Sequence, residues 1–302
     1  MSQTIAQGSV SQVGYVVEST WGTTPNTPQL TVLPYTQFNI NLTKSIYDDA
    51  SVQADRMSRY SIHGNRQVGG TINTNLSPDT YDTLLESLMN NSFATDVLKT
   101  GTTRKSLTIE QGSTDIGQYS VYTGLVVDKM SLNVPVDGAV TAQFTFIGKQ
   151  MTVSGTPLDA TLTPAPQKQP FVHEGGIFAV GGVASNCTLT GIQLSVDNGY
   201  SANFSLGNTL ACDLSYGMAK VTGTVNLYFK DATMLNAFVN GTESSLEFTL
   251  TDGTDTMTFF LPRIKYNGAS KQIQGTGSIV LTVPFVALYD ETTQTNLRIT
   301  RA

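Results

Sequence analysis

The residues that could do chemistry are few and scattered. His63 and His173 are the two histidines of the chain, about 110 positions apart in segments that read as solvent-exposed loops. No HExxH, zinc-spaced CxxC pair, P-loop or nucleophile elbow is present. Asp48, Asp49 and Asp55 cluster, but without the tight alternation of an EF-hand loop. Among 23 acidic residues no pair is favoured as a general acid and base. The glycines of Val68-Gly69-Gly70 and at 181–182 are not followed by a phosphate-binding helix, and read as places where a strand relaxes or bulges. Cys187 and Cys212 fall in or near strand-like runs and are expected as buried free thiols, with a disulfide left open. The expectation is therefore a chain with no catalytic, metal or cofactor residues, and no enzyme.

Composition points elsewhere. Charged residues make up 13% of the chain, against roughly 25% in ordinary soluble domains. Thr, Ser, Asn, Gln and 27 glycines take their place, which suits a surface covered by neighbours or a β-rich secreted module. The net charge of −6 and the lack of a basic cluster argue against tight nucleic-acid binding. The N-terminus has neither a basic nor an apolar signal region, and the strongest apolar run, Ile279–Tyr289, is too short to cross a bilayer, so no membrane partner is expected.

The elements around these residues come in two versions. Val68-Gly69-Gly70-Thr71-Ile72-Asn73 returns as Val221-Thr222-Gly223-Thr224-Val225-Asn226, 153 positions later. The alternation Phe38, Ile40, Leu42 precedes the first copy, and Ile192, Leu194, Val196 the second. A short helix is expected after each: 78–89, with Ser77 as cap and Tyr81, Leu84, Leu85 and Leu88 on one face, and 231–239, with Asp231 as cap and Met234, Leu235, Phe238 and Val239. Strands resume at 106–110, 119–127, 129–134 and 139–147, and in the second half at 245–250, 257–261, 263–266 and 277–286. Repeats of this kind bury their apolar faces by association.

This order gives five segments. Residues 1–35 read as a polar arm with Trp21 as its anchor, on a neighbour or on its own domain. Residues 36–150 form a first domain and 177–290 a second, joined by a proline-rich linker at 151–176 that is extended and semi-rigid. Residues 291–302 form a polar tail and a further contact arm. The long connection 43–67 reads as a mobile loop or as a hairpin reaching the next subunit, where Met57, Tyr60 and Ile62 supply apolar contacts and Asp55, Arg56 and Arg59 charge. Weakly charged runs containing Phe144, Phe146, Ile279, Leu281 and Val283 would aggregate if bare, and are expected at sheet edges that neighbouring subunits cover.

The polar arm, the long loop at 43–67 and the two strand–helix–strand passages resemble the major tail tube proteins of bacteriophages with long non-contractile tails, in the form that carries two tube domains in one polypeptide. The resemblance covers roughly 35–290. It implies an all-β fold with minor helix: two tandem β-sandwich or barrel-like domains, each with one flanking helix. It further implies homotrimeric, pseudo-hexameric rings whose inner sheets form a β-barrel, stacked through the long loop and termini into a virion tail tube that conducts double-stranded DNA. Other tail proteins (terminator, tape measure, distal tail) and assembly in the host bacterial cytoplasm belong to the same picture. Channels in the family tend to be negative, whereas Asp128, Lys129, Asp137, Arg263, Lys265 and Lys271 are mixed in sign here. Two alternatives remain: another stacked-ring tube of a contractile tail or secretion system, and a carbohydrate-binding or adhesin module using Tyr15, Trp21 and Tyr35.

Overall fold

The computed structural model describes residues 5–52, 54–174, 176–181, 183–184, 189–272 and 276–302. Four strands open the chain: β1 (Ser11–Val17), β2 (Thr31–Val32), β3 (Gln37–Asp48) and β4 (Ser61–Asn75). Helix α1 (Asp82–Met89) leads to β5 (Val97–Lys99), β6 (Leu107–Ser113), β7 (Gln118–Pro135), β8 (Thr141–Gly148) and β9 (Gln150–Ser154). The second half begins with β10 (Phe178–Val180), β11 (Val183–Ala184), β12 (Leu189–Asp197), β13 (Ser201–Asn203), β14 (Asp213–Ser215) and β15 (Lys220–Tyr228). Helix α2 (Thr233–Val239) is followed by β16 (Ser244–Thr251), β17 (Thr256–Tyr266), β18 (Ser270–Gln272), β19 (Val280–Ala287) and β20 (Arg298–Arg301). The fold is all-β with minor helix, as the alternating runs predict.

The sequence repeat is also a repeat of register. Ile40 stands opposite Gly70 and Gly70 opposite Phe146, while Leu194 stands opposite Gly223 and Gly223 opposite Phe285. The triplet β3–β4–β8 thus recurs as β12–β15–β19. Glycine is required at the shared position because a Cβ on Gly70 would overlap the carbonyl oxygen of Asn39, and one on Gly223 that of Gln193. Gly70 also has φ +150°, a conformation other residues rarely adopt.

In the first half, β2–β1–β6, the beginning of β7, and β9 make one sheet; β3–β4–β8 and the end of β7 make the other. The strands expected at 119–127 and 129–134 are one, β7, with a register shift around Asp128 that lets it pass from sheet to sheet. Alternation then puts Val13, Leu107, Ile109 and Leu125 of one sheet against Ile40, Ile72, Met130 and Phe144 of the other, closed on one side by Leu84, Leu85 and Leu88 of α1. In the second half β16 and β17 bring Phe248 and Phe259 into a stacked pair 5.0 Å apart. Most buried apolar side chains of both halves form one cluster, with a smaller separate one of Val126, Ile147, Tyr200 and Leu214.

Several boundaries differ from expectation for physical reasons. Asp79 adopts φ +59°, so the chain turns once more before α1, and the Ser77 hydroxyl donates to Thr80 Oγ1 instead of capping the helix. Helix α2 starts after Ala232, without a side-chain cap, and Val239 faces solvent while Phe238 packs on the core. The supposed N-terminal arm is tied into the fold by two strands: β1 pairs with β2 and with β6 along its whole length, its alternation masked by Gly14, against which Leu162 packs. The supposed C-terminal arm is also interior, because Leu297 and Ile299 are fully buried and β20 lies between β5 and β17. The proline-rich segment starts as β9 and then lies along the protein, with Phe171 buried and bonded through its backbone to Leu76 and Val140. Cys212 is an exposed free thiol and not a buried one, since it sits in the turn between β13 and β14; Cys187 lies outside the described residues.

Candidate assembly surfaces

The strand containing Phe144 and Phe146 is not a free edge. It pairs with β4 on one side and β7 on the other, and both rings are buried in the core. Leu281 and Val283 are likewise interior, in a strand flanked by β15 and by β17 and β18, and Ile279 lies just before it, its carbonyl accepting from Phe229 N. Low charge marked these runs because they are central, and central strands need no protecting charge.

The open edges lie at the two ends of the same sheet. Its order is β3–β4–β8–β7–β12–β15–β19, and then the end of β17 with β18. Among the described residues, β3 pairs with β4 alone and β18 with β19 alone. In the middle the two halves meet through β7 and β12, where Leu132 faces Leu194 and Ser131 faces Ser195. The repeat gives both edges a counterpart in this junction. Ser131 and Ser270 hold equivalent places, facing Gln143 and Thr282, and Ser195 and Asn41 do too, facing Thr222 and Gly69.

One face of this sheet is core, and the other is mostly amide and hydroxyl from β3 to β15, with Pro284 and Val286 of β19 and Lys265 of β17 on the same side at its far end. Gln37, Asn39 and Asn41 on β3, Thr71 and Asn73 on β4, Gln143 on β8, Ser131 and Asn133 on β7, Gln193 and Ser195 on β12, and Thr222, Thr224 and Asn226 on β15 all fall on it by register. Many are tied to one another. Gln143 Nε2 donates to Asn73 Oδ1 at 2.9 Å, Asn73 Nδ2 to Gln37 Oε1 at 2.9 Å, and Asn41 Nδ2 to Asn39 Oδ1 at 2.6 Å. Asn226, the repeat equivalent of Asn73, accepts from Thr282 Oγ1 at 2.9 Å. Across the seven strands from β3 to β19 this face has one charged row, Lys129, Asp197 and Lys220, in register on β7, β12 and β15. An acidic face is not what this sheet offers.

The connection 43–67 is a long hairpin, not a structureless loop: β3 and β4 stay paired out to Asp48 and Ser61. Met57, Tyr60 and Ile62 are 65%, 70% and 67% exposed at its end, joined by Ile46 and Tyr47. Asp55 and Arg59 form an ion pair, and Arg56 takes φ +62° in the turn. Asp49 accepts from the hydroxyl and the backbone N–H of Ser51, which holds its carboxyl below the ordinary value. An apolar tip of this size has no partner among the described residues of its own chain.

Trp21 anchors its own chain. Its indole N–H donates to Gly124 O at 2.9 Å, with Lys149 and Arg104 over the ring at 4.8 and 5.4 Å. The turn is held by Glu18, buried, which accepts from Thr108, Gly22 N and Gly124 N; no sequence pattern singles this residue out. Tyr15 and Tyr35 are half-buried and bonded to Thr83 and to Ser11 O, so with Trp21 they do not present an aromatic platform. His63 is exposed on β4, but His173 is half-buried, its Nδ1 shielded from solvent beside Val134 and Phe178.

Against known proteins, a family model described as phage tail tube protein matches residues 8–287. No curated protein matches the chain.

Proposed function

The chain belongs to the phage tail tube protein family, and from that membership we propose that its copies join edge to edge into closed rings whose polar sheet faces surround a channel for DNA. It is a structural component of the virion tail, not an enzyme, and it works in an oligomer with other tail proteins.

The observation that carries the ring is the pairing of β7 with β12. The end of one half already pairs with the beginning of the next inside the chain. The equivalent end of the second half, β18, and the equivalent beginning of the first, β3, are the two end strands of this sheet, each with one partner among the described residues. Pairing β18 of one copy with β3 of another repeats the internal junction and satisfies both rows of backbone groups. In this reading 36–150 and 177–290 are two tandem tube domains that share one core. Three chains give six such units and a homotrimeric ring of pseudo-sixfold symmetry.

The polar face turns inward because the opposite face carries the rest of the protein, for which a closed barrel has room only outside. The hairpin 43–67 then points along the ring axis and meets the next ring through Met57, Tyr60 and Ile62. Terminator, tape measure and distal tail proteins are the proposed neighbours at the tube ends, and the host cytoplasm the place of assembly.

The register makes the test specific. Ser270 should face Asn41 of the adjacent copy as Ser131 faces Ser195 within the chain. In a chain with Cys187→Ser and Cys212→Ser, the pair N41C and S270C should oxidise to covalent closed trimers, because facing strand residues lie at disulfide distance. Assembled tubes that yield only monomers on denaturing gels would overturn the proposed edge.

A further inference from the structure

We infer that DNA passing this channel is touched electrostatically at the row Lys129–Asp197–Lys220 of each chain and at the exposed Lys265 beside it, in register with Val286 and Thr222, and meets an uncharged wall across β3, β4 and β8. The inference rests on the reading that the polar face lines the channel.

Three observations carry it. First, a wall can hold a phosphate backbone through cations or through free N–H donors. In the first half three side-chain amides of this face point a donor at a neighbour: Gln143 to Asn73, Asn73 to Gln37, and Asn41 to Asn39. Each such bond removes a donor from what a passing phosphate could find.

Second, the charged row does not cancel. Asp197 stands between the two lysines in register, with Lys129 Nζ 3.7 Å from its carboxylate at about 43% side-chain exposure. One carboxylate offsets one lysine, and the row keeps a net positive charge. Third, the row occurs once per chain, at the junction of the two halves. The repeat positions of Asp197 and Lys220 in the first half are Thr43 and Gln67, which face each other uncharged. A ring of six similar units would therefore carry three cationic rows, all near its hairpin end, and the pseudo-sixfold wall would have a threefold charge pattern.

A wall built this way needs no negative charge to let DNA slide. Weak cationic contacts, repeated three times around each ring, would centre the duplex while leaving most of each ring without grip. Contact through a few phosphates is salt-sensitive, with log affinity falling by about 0.9 for each phosphate per unit of log salt.

The experiment uses tubes or rings of the full chain and a fluorescent DNA duplex of about 12 base pairs, followed by co-sedimentation between roughly 20 and 200 mM salt. The wild-type assembly should retain the duplex weakly at low salt and release it as salt rises. K129Q/K220Q keeps polar side chains at both positions and leaves Lys265 in place, and should lose at least severalfold in retention with a shallower salt slope. K44Q, a substitution at an exposed lysine that pairs with Arg66 on the opposite side of β3 from Thr43, should behave as wild type. Equal retention by K129Q/K220Q and wild type, or no retention by wild type at low salt, overturns the inference. The N41C/S270C crosslink reports ring closure independently. A missing row effect in closed rings therefore rejects this inference alone, whereas rings that do not close reject the channel reading as well.

Discussion

Arg301, the next-to-last residue, forms an ion pair with Asp82 at the start of α1, across 219 positions of sequence. The same guanidinium donates through Nε to Asp96 Oδ1 at 2.8 Å. The last strand is thereby fastened to the first half by charge as well as by its ladder with β5. Burial pushes the Asp82 carboxyl up, and Arg301 is the group that opposes this. Arg301→Ala leaves a mostly buried carboxylate without its cation, and should cost about 1–3 kcal/mol. A urea titration checks this; a midpoint equal to wild type would mean that the β20 ladder alone fastens the tail.

The glycines of the repeat should be far less replaceable than glycines with open space around them. G70A and G223A each force a Cβ into a neighbouring carbonyl, and should lose about 2–4 kcal/mol or fail to accumulate as folded protein. G155A, at a glycine with open space around it, is the control and should be within about 0.5 kcal/mol of wild type. Thermal unfolding of the three variants side by side decides the matter.

Stacking and folding should separate at the hairpin. M57S/Y60S/I62S alters side chains that are mostly exposed in the isolated chain, so the melting temperature should stay within a degree or two of wild type. Ring crosslinking through N41C/S270C should persist, while electron microscopy should show rings in place of tubes. Tubes of normal length from the triple variant would remove the hairpin from the inter-ring contact.

Glu110 provides a pH signature. Burial raises its carboxyl above the ordinary value of 4.5, with the charge of Asp159 adding to the rise and the backbone N–H of Leu158 opposing it. A raised carboxyl favours the protonated form in the folded state, so its contribution to stability is full below the unfolded value and is lost as pH rises through the folded one. Glu110→Gln stays neutral and can still accept from Leu158. Wild type should therefore lose stability relative to the variant between roughly pH 4 and 7. A constant difference across that range would show that the carboxyl is not perturbed.

Much of this molecule was legible because it is local. Alternation located the strands, and the doubled motif around Gly70 and Gly223 marked a repeat that the registers reproduce position by position. What escaped was relational. Phe144 and Ile40 both sit in alternating apolar runs, and nothing in either run says that β8 acquires two partners and β3 one. Gly14 broke the pattern of β1, so a strand looked like an arm. The Lys129–Asp197–Lys220 row draws on three strands and both halves, and it exists only once β7 lies beside β12. Helix starts failed for a nearer reason: Ser77-Pro78-Asp79 has the composition of a cap, but the left-handed Asp79 spends those residues on a turn.

The place of β20 has a consequence for how the two halves move. Its four residues lie between β5 of the first half and β17 of the second, so the halves are held by two separate ladders, this one and β7 with β12. A hinge opening at either ladder would have to tear the other. Strain on the wall of a tube is therefore carried by each subunit as a single stiff plate.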